Sequence, residues 1–285
     1  MVRSDTCIGQ WSCIFKAKTV RKLDQIVMSN CHVFLITAPS VASYVPNAVD
    51  ALVLSSSLAV TTRSACVVYV HEDTFTYSSV LDSLSFEDAA PLADAGITPY
   101  HAIVDRAKVR LNETALLVGM GGLALTGLQI LKAAGAKVIA VSRTQSKLEL
   151  AKTFGADLVI NTTSDDGVEA VKRFTDGYGV DHIFDFVGSG ESIVRDGKYI
   201  RQSGEIILLG YQPGNQTVPV STLRKFLYVG GSNNGTRKDL RDVVRLASEG
   251  KIKSIVTKAY SLDQVNEALN LLASGEVNGR LVLKF

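Results

Sequence analysis

One stretch limits what this chain can fold into more than any other. Between Thr114 and Arg143 an apolar run, a glycine turn, a helix-length segment and a second apolar run follow one another. Residues 114–118 are nearly continuously apolar, the pattern of a short parallel strand buried on both faces. Gly119, Gly121 and Ala124 then supply the G-x-G-x-x-G/A spacing. Gly119 permits the tight turn, and Gly121 lets the backbone approach a pyrophosphate. Ala124 is small enough for the next helix to pack closely on the strand. That helix, over about 122–134, begins with Gly122 and Leu123 and points its N-terminal amides and positive dipole end at the phosphates. Residues 137–141 read as a second strand. Glycine turns are common, so the spacing alone is weak. Its place between a strand and a helix points to dinucleotide binding, with a plain structural turn as the alternative.

The residue that reads the adenosine ribose belongs about 20 positions on, at the end of the second strand. An Asp or Glu there hydrogen-bonds the 2′-hydroxyl and repels a 2′-phosphate. This chain has Ser142 and Arg143 instead, with Lys147 one helical turn further along. The repulsive charge is gone, and a guanidinium able to clamp a phosphate is added. NADP(H) is therefore expected, with NAD(H) as the alternative cofactor. The bland alternative for Arg143 is that it stacks on the adenine or faces solvent.

Beyond this unit the pattern continues. Helices are expected at 146–154, 167–174 and 191–200, and strands at 156–161, 182–187, 205–209 and 226–229. A helix over 237–249, another with Leu262, Val265, Leu269 and Leu272 on one face, and a strand over 280–285 close the chain. Such βαβ alternation predicts an α/β fold, a Rossmann doubly wound parallel sheet. Upstream, Ser85 followed by Asp88 marks a helix start, and 67–70 looks like a strand. Residues 1–65 show no clean period; 33–37 and 51–60 could be strands, with Pro39 and Pro46 between them.

Composition excludes several function classes. At 46% hydrophobic and 20% charged the chain can bury a sizeable core, and a net charge of +2 gives no reason to expect nucleic acid or membrane surfaces as partners. There is no apolar run of about 18 residues and no signal-peptide core at the start, so cytoplasmic residence is expected. Cys7, Cys13, Cys31 and Cys66 have irregular gaps that match neither a C-x-x-C pair nor a disulfide framework.

From about residue 67 to 285 the chain resembles the medium-chain dehydrogenase/reductase superfamily, and most closely its zinc-type alcohol dehydrogenases of bacterial and archaeal kind. The resemblance rests on Ala90-Pro-Leu-Ala-Asp-Ala-Gly-Ile-Thr-Pro-Tyr-His-Ala102, Gly119-Met-Gly-Gly-Leu123 and Ala151-Lys-Thr-Phe-Gly-Ala-Asp157. It continues in Val180-Asp-His-Ile-Phe-Asp-Phe-Val-Gly188, Gly235-Thr-Arg-Lys-Asp-Leu240 and Gly279-Arg-Leu-Val-Leu283. It implies a Rossmann domain over 101–235, a remnant of a GroES-like β domain over 66–100 and 236–285, and an unassigned segment over 1–65. It also implies a homo-oligomer, dimer or tetramer.

The resemblance makes Asp94 a ligand of a catalytic zinc and packs Thr98 against the nicotinamide ring. Arg280 would reach the cofactor phosphates, and backbone at Gly188, Leu209 and Gly210 would line the adenosine and nicotinamide pockets. The bland alternatives are a helix cap for Asp94, a surface arginine for Arg280 and a turn residue for Thr98. The departures matter as much. The family's Gly-His-Glu is absent, and His71-Glu72, which resembles half of it, more simply ends a strand. A catalytic zinc needs three protein ligands and an open position, and only Asp94 can be nominated.

The implied activity is that of an alcohol dehydrogenase-like enzyme, moving hydride between NAD(P) and a small alcohol or its aldehyde or ketone. The incomplete zinc half puts that activity in doubt. One rival is a zinc-free reductase of the quinone or enoyl type, against which Asp94 speaks, because a buried carboxylate needs a cation. The other is a non-catalytic NAD(P)-binding remnant.

Overall fold

The computed structural model describes residues 49–53, 58–62, 66–71, 74–79, 84–210, 212, 217–225 and 227–284. The expected strand at 33–37, together with Cys7, Cys13, Cys31, Glu72, Phe226 and Phe285, lies outside them. Four strands come first: β1 (Val49–Val53), β2 (Leu58–Thr62), β3 (Cys66–His71) and β4 (Thr74–Ser79). They pair antiparallel in chain order, and His71 is the last residue of β3. The Ser85 side chain then accepts the amide N–H of Asp88 at 3.1 Å and starts α1 (Phe86–Ala89), as its spacing from Asp88 predicts. A 3-10 turn over Ala90–Ala93 leads to α2 (Ile97–Tyr100), which continues into wider π-type turns over His101–Arg106. Every residue from 89 to 100 is buried, forming a closed shelf.

The nucleotide unit follows. Strand β5 (Thr114–Val118), α3 (Gly122–Ala133), β6 (Lys137–Ser142), α4 (Gln145–Thr153) and β7 (Leu158–Asn161) make its first half. Helix α5 (Val168–Phe174), β8 (Val180–Asp185), α6 (Gly190–Tyr199), β9 (Ile200–Leu208), a short α7 (Val220–Leu223) and β10 (Tyr228–Gly231) make its second. The six strands are all parallel, in the order β7-β6-β5-β8-β9-β10. The order in which strands are added reverses between β5 and β8, which leaves a crevice beyond the carboxyl ends of those strands. Alternate strand residues feed two cores. Ala115 and Leu117 pack with Leu125, Leu128 and Ile103 on one face, while Leu116 and Val118 pack with Ile139, Ile183 and Ile206 on the other.

Several expected boundaries shift, among them the start of β9, which begins at Ile200 directly after α6 and not at 205. Strand β8 ends at Asp185, short of the expected Val187, because the Asp185 carboxylate takes the amides of Val187 and Gly188 and turns the chain off the sheet. Strand β10 begins at Tyr228, not at 226.

Helix α8 (Arg237–Ser248) is capped by Thr236 and Asp239, and β11 (Val256–Ser261), α9 (Val265–Ser274) and β12 (Arg280–Lys284) end the chain. Strand β12 pairs parallel with β11 and antiparallel with β1, so the last strand joins the first sheet. That return carries Arg280 past the first turn of α3. No helix among the described residues is long and apolar enough to cross a membrane.

Candidate dinucleotide-binding cleft

A cleft of about 870 Å³ opens beyond the ends of β5, β6 and β8. Its floor is the glycine turn. Gly119 has φ +84°, and a Cβ there would lie 2.7 Å from Val187 Cγ2, so only glycine fits. At Gly121 nothing stands within 4 Å of where a Cβ would be. Helix α3 also has no side-chain cap, so its first amides are left for a ligand. Leu123 and Ala124 complete the floor, and Ala124 is fully buried against the sheet.

The second wall carries the residues expected at the ribose. Ser142 is buried, and its Oγ accepts the Thr144 amide at 3.2 Å, which shapes the turn beyond β6. Arg143 is exposed at the cleft edge, and Lys147 reaches across to donate to the Gly275 carbonyl at 3.4 Å.

The third wall runs from Phe186 to Ser192 with Arg195 and Leu209. Asp185, fully buried, holds it in place. One carboxylate oxygen accepts the Val187 and Gly188 amides at 2.7 and 3.0 Å, and the other accepts the Ser192 hydroxyl at 2.6 Å. Ser189 caps α6. Behind them Asp196 is fully buried, and that burial, with the Asp185 charge beside it, pushes its carboxyl well above the usual range. Gly188 and Gly210 stand just behind the lining, with both amides bonded to Asp185; a side chain at 210 would strike the Phe186 backbone.

The structure thus gathers Gly119, Gly121, Gly122, Leu123, Ser142, Arg143, Lys147, Leu209 and Arg280 around one space. Thr98 is not among the lining residues; it is 4% exposed, and its hydroxyl has no partner among the described residues. Sequence reasoning missed Ser189, Glu191, Ser192 and Arg195. The signal was available, because a loop leaving the strand next to β5 must border the crevice.

Asp94 is where the expectation changes most. It is 3% exposed, and its Oδ2 lies 2.7 Å from Arg280 Nη2. A buried carboxylate needs a cation, and here the cation is an arginine. Among the described residues, the one convergent trio of metal-capable side chains is His101, Asp105 and Asp239, not a set around Asp94. In that trio His101 Nδ1 meets Asp239 Oδ2 at 3.0 Å, tying the turns after α2 to α8. Burial would push the Asp239 carboxyl up, but the Thr236 amide and hydroxyl hold it below the usual range. The described residues therefore do not fit a catalytic zinc at Asp94. For a dinucleotide the fit is good: an uncapped helix start, open space at Gly121, and four basic side chains, Arg143, Lys147, Arg195 and Arg280, in the cleft lining.

The chain is similar to known dehydrogenases. Residues 122–249 match the family model described as zinc-binding dehydrogenase. An alcohol dehydrogenase of Geobacillus stearothermophilus is 38% identical over 206 residues, 71% of this chain and 59% of that protein. A D-arabinose 1-dehydrogenase (NADP(+)) of Saccharolobus solfataricus is 37% identical over 71% of this chain and 59% of its own length. A solved NAD-dependent alcohol dehydrogenase superposes with a TM-score of 0.69 at 30% identity, covering 77% of this chain and 64% of that one. The chain spans about three fifths of the length of the curated relatives it matches, at 59% for both of these. From about residue 67 onward, the chain belongs to the medium-chain dehydrogenase/reductase superfamily, on its zinc-type alcohol dehydrogenase branch.

Proposed function

We propose that this chain binds NADP(H) in the cleft and serves an alcohol dehydrogenase-like oxidoreduction between a small alcohol and its aldehyde or ketone. The observation that supports it most is the open space over Gly121, with the uncapped start of α3 below it. The α3 amides and Arg280 would hold the pyrophosphate, and Arg143 with Lys147 would hold the 2′-phosphate. Backbone at Gly188, Leu209 and Gly210 would border the adenosine and nicotinamide moieties, with Thr98 against the ring. When bound, the nicotinamide supplies or accepts hydride. Relatives named for either nucleotide exist; the preference for NADP(H) rests on Ser142 and Arg143. By the family reading the chain would act as a homo-oligomer in the cytoplasm.

A second reading, a zinc-free reductase of the quinone or enoyl type, gains from the Asp94–Arg280 pair, which supplies the buried carboxylate with a cation other than a metal. Assays with small alcohols, enones and quinones after chelator dialysis separate the two.

The test of cofactor binding is Gly121→Val. A Cβ at this position has no protein atom within 4 Å, so stability should largely hold. It fills the space meant for the pyrophosphate, so NADPH affinity should fall by about 1–3 kcal/mol, the cost of overpacking. Unchanged NADPH fluorescence titrations would remove the cleft from consideration.

A further inference from the structure

Between the shelf and the phosphate floor, one cation faces two anion positions. Arg280 Nη2 lies 2.7 Å from Asp94 Oδ2, with the side chains 12% and 4% exposed. The contact is close but poorly aligned: Asp94 Oδ2, Arg280 Nε and Arg280 Nη2 are all buried without a hydrogen bond of good geometry among the described residues. The attraction is between charges, and guanidinium donors remain unused. Those donors lie against the anion site. A Cβ at Gly122, the first residue of α3, would come within 2.8 Å of Arg280 Nε. The guanidinium therefore rests on the turn whose amides a phosphate would take. The backbone is fixed, since Arg280 N–H donates to the Ile255 carbonyl at 2.7 Å and Gly279, at φ +145°, packs on that carbonyl. Any change of partner falls to the side chain.

We propose that Asp94 is the internal counter-anion of Arg280, and that a phosphate-bearing ligand occupies the cradle by replacing Asp94 on the guanidinium. This rests on reading the cleft as a dinucleotide site. With Asp94 in contact, an incoming phosphate meets a dipole and not a full positive charge, so attraction is muted until the exchange occurs. The coupling is reciprocal: whatever weakens the Asp94–Arg280 contact strengthens the phosphate–Arg280 contact. Asp94 thereby sets cofactor affinity from outside the lining of the cleft.

The experiment titrates NADPH, NADH and inorganic pyrophosphate, the last by competition with NADPH fluorescence, against the full chain with and without Asp94→Asn. All three should tighten roughly tenfold, a usual size for coupling between neighbouring sites. Binding of 2′-AMP, which carries no pyrophosphate, should not change. In an Arg280→Ala background Asp94→Asn should leave pyrophosphate affinity as it was. Weaker or unchanged binding in Asp94→Asn overturns the proposal, and so does an equal gain with Arg280 gone, which would mark a general field effect. Absence of NADPH binding to the unmutated chain would defeat the dinucleotide reading itself, a different failure. The unmutated chain also gives a test that no variant's folding can confuse. Its Arg280 Nε–H resonance, assigned by its loss in Arg280→Lys, should shift on adding pyrophosphate and stay put on adding 2′-AMP. A resonance unmoved by pyrophosphate overturns the proposal.

Discussion

On the shelf at 89–100, Asp94 is 3% exposed and lies 2.7 Å from Arg280, whereas behind the opposite wall of the cleft Asp196 is 0% exposed and has Asp185 for a neighbour. A carboxylate removed from water becomes bearable in two ways, by gaining a cation or by keeping its proton. The shelf uses the first way and the wall uses the second. A cation–carboxylate pair keeps two full charges that a ligand can recruit. A neutral acid beside a carboxylate keeps one, the Asp185 charge, and that charge is already taken by the Val187 and Gly188 amides and the Ser192 hydroxyl, which hold the loop from Phe186 to Ser192 in place. The same residue type therefore makes a responsive part in one region and a fixed brace in the other.

The largest effect that could break this comparison comes from Arg280→Ala. It leaves Asp94 buried without its cation and should lower stability by about 3 kcal/mol, the usual result of removing one partner from a buried pair. NADPH and NADH should weaken together, because the pyrophosphate is common to both. Adding Asp94→Asn should restore most of the stability, since the stranded charge goes with it. Urea denaturation of the two variants decides the matter. A loss below about 1 kcal/mol would mean that the shelf contact is an ordinary surface pair.

The two regions also differ in how far the sequence discloses them. The floor was legible because turn chemistry is local: Gly119 and Gly121 act through their own φ and their own missing side chains. The alternation of strands and helices gave the parallel sheet for the same reason, since periodicity is a property of neighbours in the chain. The Asp94–Arg280 contact joins residues far apart in the chain, and no pattern at either end announces it. Family position nominated Asp94 for a metal and Arg280 for phosphate, which kept the two apart. The Asp185–Asp196 pair was missed because both residues sit in stretches that read as strand and helix, where an aspartate is presumed to face solvent. Residues 49–62, which showed no clean period, contribute two strands whose partners are β3 and the distant β12.

Arg143→Ala sharpens the comparison from outside it. Arg143 is exposed and is not seen paired with a buried carboxylate among the described residues, so its loss should leave stability unchanged. NADPH should weaken by about 2 kcal/mol, the scale of a charge-assisted hydrogen bond, with NADH unaffected. Equal losses for both cofactors would move Arg143 away from the 2′-phosphate. A fall in melting temperature would show that it carries structural weight like Arg280.

Asp196→Asn examines the brace, and its effect is smallest per step of pH. Burial first, and then the Asp185 charge, raise the Asp196 carboxyl well above its ordinary range in the folded chain. In the unfolded chain the same group ionises near the ordinary value of about 3.9. A raised folded value means that the unfolded state binds fewer protons between the two values, so stability falls as pH rises through that window. The contribution is fully present below about pH 4 and is lost progressively above it, at about 1.4 kcal/mol per pH unit while the folded group keeps its proton. Asparagine holds a donor for Asp185 at every pH and has nothing to ionise. The variant should match the parent near pH 4, exceed it at neutral pH, and lose this part of the slope. Urea midpoints taken across pH 4.5 to 7 in both proteins read the difference. Identical slopes would mean that Asp196 is ionised in the folded chain with Arg195 as its cation, and the wall would then be built on the same plan as the shelf.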